Sequence, residues 1–214
     1  MKLYGALISP FVRKVAVAAA EKGMECELMR GGPGSDDPEF LAASPFGKIP
    51  AIRDGDFTLA DSSAIVAYME AKQPEPALFP ADPQSRGRAV WFDEFADTIF
   101  AASGLKIMFN RLVGPKLLKV PYDEALALQG EAELPRILDY LESVVPESGW
   151  LVGEFSLADI AVASMLRTMV YVGFGPDAAG YPRTAAWYAR VTERPGWQAV
   201  AVREDAIAAK LGIG

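Results

Sequence analysis

Between residues 72 and 85 the chain carries Pro74, Pro76, Pro80 and Pro83, and its apolar pattern differs on the two sides of that segment. Proline lacks an amide proton and clashes with the preceding turn, so such a segment cannot continue a helix. It reads as a surface linker. Before it, short apolar runs of strand length alternate with stretches at helical spacing. After it, only helical spacing recurs, at 86–111, 122–145, 156–170, 181–193 and 197–210, with no strand or hairpin signal.

The first part reads as strand 2–8, helix 10–22, strand 25–30, one or two helical turns at 38–43, strand 49–53, a turn at Asp54-Gly55-Asp56, strand 57–59, and a helix from Asp61 to about Glu70. A strand–helix–strand opening favours a parallel pair with a right-handed crossover, and the hairpin adds an antiparallel edge. The expected fold is α/β plus all-α: a βαβαββα domain over 1–72 with a small mixed sheet, a linker at 73–85, and a helix bundle over 86–214. In helix 10–22, Phe11, Val12, Val15, Ala16 and Ala19 form the apolar stripe, while Arg13, Lys14, Glu21 and Lys22 fall largely outside it.

The net charge of −7 argues against general affinity for nucleic acid or acidic membrane. No apolar run is long enough to span a bilayer and the N-terminus lacks a signal-peptide pattern, as expected of a cytoplasmic protein. The single cysteine, Cys26, excludes an intramolecular disulfide and reads as core filler. There is no histidine, which removes a Ser-His-Asp triad and any His-ligated metal; no metal is expected.

Ser9-Pro10 reads as an N-cap followed by an N1 proline. A helix start carries unpaired N–H groups and partial positive charge, so Ser9 offers a hydroxyl where an anion would be welcome. Farther on, Ser156-Leu157-Ala158-Asp159 has the spacing of a capping box with Asp in place of Glu, with Phe155 and Ile160 placed for a hydrophobic staple.

Four segments in order resemble motifs of the cytosolic glutathione transferases, and the likeness covers nearly the whole chain. Ser9-Pro10-Phe11-Val12-Arg13-Lys14 resembles the catalytic-serine segment of the tau-like, phi-like and theta-like groups. Ser44-Pro45-Phe46-Gly47-Lys48-Ile49-Pro50 resembles the family's cis-proline turn. Asp61-Ser62-Ser63-Ala64-Ile65 resembles its Glu-Ser-x-Ala-Ile helix start, and 156–159 its folding box. The resemblance implies a thioredoxin-like first domain, glutathione as co-substrate, and a cytoplasmic homodimer of a serine-type, bacterial-looking kind.

Under that resemblance each motif has a task. The Ser9 hydroxyl would be the catalytic group, donating to the glutathione sulfur and so favouring the thiolate; a free thiol titrates near 8.5. Pro50 would be cis, turning the backbone of Ile49 toward the cysteinyl unit. Asp61 would attract the γ-glutamyl ammonium and Ser62 its carboxylate. Lys48, or else Arg53, would meet the glycyl carboxylate, because the 38–43 stretch has no basic residue where many relatives carry one. The electrophile pocket is expected between the domains, with Phe11 on one wall and Phe100, Ile107, Met108 and Arg111 on the other. Lys106 and Arg111 would face an anionic or electron-withdrawing group.

Two functions fit. One is a transferase adding glutathione thiolate to small apolar electrophiles, a detoxification chemistry with peroxide reduction and dehalogenation as variants. The other is a non-catalytic module keeping the fold for protein association. Retention of Ser9, Ile49-Pro50 and Asp61-Ser62 together favours the enzyme.

Overall fold

A computed structural model of the chain describes residues 1–213, in two compact units. One comprises Met1–Phe79 and Arg194–Ile207; the other comprises Pro80–Glu193 and, of the described residues, 208–213. No helix among the described residues is long and apolar enough to cross a membrane.

The first unit contains β1 (Lys2–Tyr4), α1 (Pro10–Glu21), β2 (Glu27–Met29), α2 (Pro38–Ala43), β3 (Ala51–Asp54), β4 (Phe57–Ala60) and α3 (Ser62–Lys72), the βαβαββα order that the residues imply. The sheet runs β2-β1-β3-β4, with β1 parallel to β2 and the other two pairs antiparallel. Side chains alternate across it. Tyr4 and Ala51 pack on Phe40 and Ala43 of α2, while buried Leu3 and Ile52 point to the opposite face, toward α1 and α3. β1 ends at Tyr4, short of the expected Ile8. Gly5 takes a φ of +142°, and a Cβ there would lie 2.5 Å from a Val12 methyl, so the chain turns hard against α1 where only glycine fits.

Helix α1 is buried on more faces than its apolar stripe announces. Arg13, Lys14 and Lys22 are all enclosed. The cause is its alanine-rich surface, which lets neighbours close in on every side. Lys22 Nζ donates to the carbonyls of Gln73 and Pro76, both at 2.8 Å, and pairs with Glu70 at 2.6 Å. Glu70 in turn accepts from the N–H groups of Leu78 and Phe79. Lys22 and Glu70 thus strap the proline-rich segment to the first unit.

The segment 194–207 joins this unit although the sequence places it with the helices that precede it. It is the larger part of a helix, Pro195–Lys210 (α9). Two ion pairs draw it in: Arg194 with Glu21, and Arg13 with Glu204. Trp197 of the same segment is buried at 3% exposure.

In the second unit, α4 (Pro83–Glu94) begins inside the expected linker, because Asp82 caps it through the Ser85 N–H and Pro83 occupies N1. It continues through a π-helical segment (Phe95–Phe100), α5 (Ala101–Met108) and a second π-helical segment (Phe109–Leu118). Then follow α6 (Glu124–Val144), α7 (Leu157–Val170) and α8 (Pro182–Thr192). Helix α7 is buried along nearly its whole length and forms the centre of this unit. α5 and α6 approach closely at Gly130, where a Cβ would stand 2.6 Å from the Ser103 carbonyl oxygen.

Candidate active site

Strand register assembles the site. Tyr4 lies opposite Ala51, and Ala51 opposite Ala60, so the loop after β1, the start of β3 and the start of α3 share one edge of the sheet. Neighbouring strands lie about 4.8 Å apart. The segments that carry Ser9, Ile49-Pro50 and Asp61-Ser62, up to 53 positions apart in the chain, therefore leave the sheet at the same edge.

Ser9 stands at the N-cap position of α1 in extended conformation, φ −71° and ψ 128°, and is half-buried. Its hydroxyl makes no capping hydrogen bond. This corrects the expectation that Ser9 is a cap. Its backbone is fixed instead: its N–H donates to the Ala6 carbonyl at 2.9 Å, and its carbonyl accepts from the Arg13 N–H at 2.9 Å. The positive end of α1 lies directly behind a hydroxyl that has no hydrogen-bond partner among the described residues.

The Ile49–Pro50 peptide is cis. The Ser44 hydroxyl donates to the Lys48 carbonyl at 2.7 Å and the Gly47 N–H to the Ser44 carbonyl at 2.9 Å, shaping the turn. Among the described residues neither backbone polar group of Ile49 has a protein partner. Pro50 is buried, Ile49 half-buried and Lys48 exposed. Arg53 lies at the far end of β3, opposite Lys2, where it helps line a groove of about 740 Å³ with Met1, Glu25, Cys26 and Asp54. Strand rise of about 3.3 Å per residue carries it away from Pro50, which leaves Lys48 as the nearer cation.

Asp61 has φ +82° and ψ 128°, a strained backbone for a residue other than glycine. One of its carboxylate oxygens accepts from the N–H groups of Ser63 and Ala64, both at 3.0 Å, and so caps α3. Ser62 is 3% exposed. Lys14 Nζ donates to the Ser63 hydroxyl at 3.1 Å, tying α1 to the same helix start. That tie was illegible in sequence, since Lys14 lies outside the stripe by periodicity. Helix α2 offers an acid instead of a base: Glu39 accepts from Lys2 at 3.2 Å and from the Tyr4 hydroxyl at 3.3 Å, and the Lys2 contact holds its carboxyl below the usual range.

Phe11 is half-buried on the first turn of α1. The other expected wall residues are committed inside the helical unit. Phe100 and Ile107 have no exposure and Met108 only 5%. Arg111 pairs with Glu124 and Glu131, and Lys106 with Glu133 at 2.8 Å. α5 packs closely on α6, where a Cβ on Gly130 would stand 2.9 Å from the Ile107 side chain. Cys26 is free, and burial pushes its thiol up to about 11. No cluster of metal-ligating side chains occurs among the described residues.

The N-terminal domain pattern of glutathione S-transferases matches residues 3–77 and the C-terminal domain pattern matches 100–195. A glutathione S-transferase of Hyoscyamus muticus is 32% identical over 205 residues, 92% of this chain and 95% of that one. The chain belongs to the glutathione S-transferase family. A family crystal structure from Rhodospirillum rubrum superposes with a TM-score of 0.84 at 28% identity, covering 93% of this chain and 90% of the other. Glutathione S-transferase I from maize, solved with an atrazine–glutathione conjugate, superposes with a TM-score of 0.82 at 28% identity, covering 95% and 97%. The thioredoxin-like and helical halves described above are the two halves of this fold.

Proposed function

We propose that the protein is a glutathione transferase in which the Ser9 hydroxyl donates a hydrogen bond to the sulfur of bound glutathione. The observation that carries this reading is the uncommitted hydroxyl at the head of α1. A donor and a helix dipole aimed at one point stabilise negative charge there, and thiolate is the nucleophile that conjugation needs. Serine acts as a donor and not as a base, so a chain without histidine is competent.

The rest of the tripeptide follows the same edge of the sheet. The free N–H and carbonyl of Ile49 suit the cysteinyl backbone, as in strand addition. The start of α3, with buried Ser62 and the Asp61 carboxylate, suits the γ-glutamyl carboxylate and ammonium. Lys48 suits the glycyl carboxylate, and Phe11 offers an apolar surface beside the sulfur. The class of acceptor is a small apolar electrophile. The protein is read as a cytoplasmic homodimer; Phe46, 90% exposed, is a large ring for a second copy to cover. Sedimentation at micromolar concentration giving only monomer mass would remove the dimer.

Calorimetric titration with glutathione, followed by turnover of an aryl halide, tests the function. Saturable binding with conjugate formation supports it. Absence of both at millimolar glutathione would leave the association-module reading in its place.

A further inference from the structure

We propose that Arg13 and Glu204 are a positioning pair for Ser9, so that α9, near the end of the chain, sets the geometry of thiolate stabilisation. The inference rests on Ser9 being the thiolate donor. Ser9 has a locked backbone and an unspent hydroxyl, and most of the lock passes through Arg13. The Arg13 N–H holds the Ser9 carbonyl at 2.9 Å, and Arg13 Nη2 donates to the Ile8 carbonyl at 3.3 Å. The peptide groups on both sides of the Ser9 Cα are therefore held by a single residue.

Glu204 fixes the guanidinium that makes the second of these contacts. Arg13 Nε donates to one Glu204 oxygen at 2.8 Å, and Nη2 donates to the other. The two parallel bonds set the plane of the fork, and the second proton of Nη2 is thereby aimed at Ile8. Both side chains are 1% exposed. A buried ion pair is a weak device for stability alone, since apolar replacements of similar volume are often as stable. One that also grips the peptide before Ser9 has a reason to be charged. Lysine could not replace Arg13, because a point charge lacks the fork that serves carboxylate and carbonyl together.

The test uses two variants of the whole protein, the apolar double Arg13→Met/Glu204→Leu and the charge-keeping single Arg13→Lys. The readout is thiolate absorbance of bound glutathione against pH, with glutathione KM and kcat alongside. Both variants are expected to raise the bound thiol pKa, the double by about one unit, a tenfold fall in the thiolate-to-thiol ratio, with KM changed no more than about twofold. A pair that only holds the fold would change melting temperature and leave the bound pKa alone; that result in both variants overturns the proposal. Ser9→Ala measured in parallel separates the two claims. If it raises the pKa while the pair variants do not, only the positioning role fails. If it also leaves the titration unchanged, the thiolate assignment of Ser9 fails with it.

Discussion

In the core of the helical unit the Trp187 indole N–H donates to a carboxylate oxygen of Asp159 at 2.8 Å, joining α8 to the first turn of α7. The same oxygen accepts from the Leu151 N–H at 3.0 Å, and the other accepts from the Ser156 N–H at 3.1 Å and from its hydroxyl at 3.4 Å. Asp159 is thus the junction of a loop, a helix start and a second helix. Asp159→Ala strands several buried donors at once and is expected to cost about 3 kcal/mol or more. Trp187→Phe removes a single donor and part of the ring volume, for about 2 kcal/mol. Urea unfolding of both variants checks the order; equal losses would mean that packing, and not the junction, sets the cost.

Asp159 also gives stability a particular pH dependence. Burial pushes its carboxyl up to about 6 from an ordinary 3.8, although four donors pull the other way. Its folded-state pKa lies above its unfolded value, so between about pH 4 and 6 the folded state binds the extra proton. This group's contribution therefore falls as pH rises through that window and is level above it. Carboxylates held low by their partners, Asp54 by Lys72 and Glu133 by Lys106 foremost, slope the opposite way and lose stability as pH falls. The wild-type minus Asp159→Asn difference in unfolding free energy isolates the Asp159 slope. A difference that is flat from pH 4 to 6 contradicts it.

The alternation of periods before the proline-rich segment made the first unit legible, and the turn residues at Ser44–Gly47 and Asp61–Ser63 marked where its helices and strands begin. What stayed hidden is what periodicity cannot carry. Glu204 meets Arg13 across 191 positions, and Trp187 meets Asp159 across 28, with no local signal for either. Arg13, Lys14 and Lys22 lie off the apolar stripe, yet all three are buried against alanine-rich α1's neighbours. In the helical unit the stripe of Phe100 and Ile107 is buried, with no local signal for what covers it.

Asp61 joins two effects that substitution can separate. It caps α3 through Ser63 and Ala64 while holding φ at +82°. Asp61→Asn keeps a capping oxygen and tolerates positive φ. Asp61→Gly loses the side-chain cap and relieves the backbone. Asp61→Ala loses the cap and keeps the strain, and is expected to be least stable, by about 1 kcal/mol relative to wild type. All three lose the carboxylate charge, so glutathione KM should rise in each while kcat changes less. Unchanged KM in all three would remove Asp61 from the γ-glutamyl end.

Ser9→Ala should separate stability from chemistry cleanly. Because the hydroxyl caps nothing, its loss is expected to change unfolding free energy by less than about 0.5 kcal/mol, against the ~1 kcal/mol that a capping serine would cost. The thiolate, by contrast, loses its donor. A rise of one unit in the bound thiol pKa corresponds to about 1.4 kcal/mol between the two protonation states, and at neutral pH the conjugation rate falls with the thiolate fraction. Glutathione still binds, since Ile49, Asp61 and Ser62 are untouched. The start of α1 keeps its partial positive charge, so some activation remains, and raising the pH restores part of the rate by forming thiolate without help. Thiolate absorbance of the bound complex, followed against pH in both proteins, reads the effect directly. A variant that is clearly less stable but titrates as wild type would return Ser9 to the role of a cap and assign the thiol to another group.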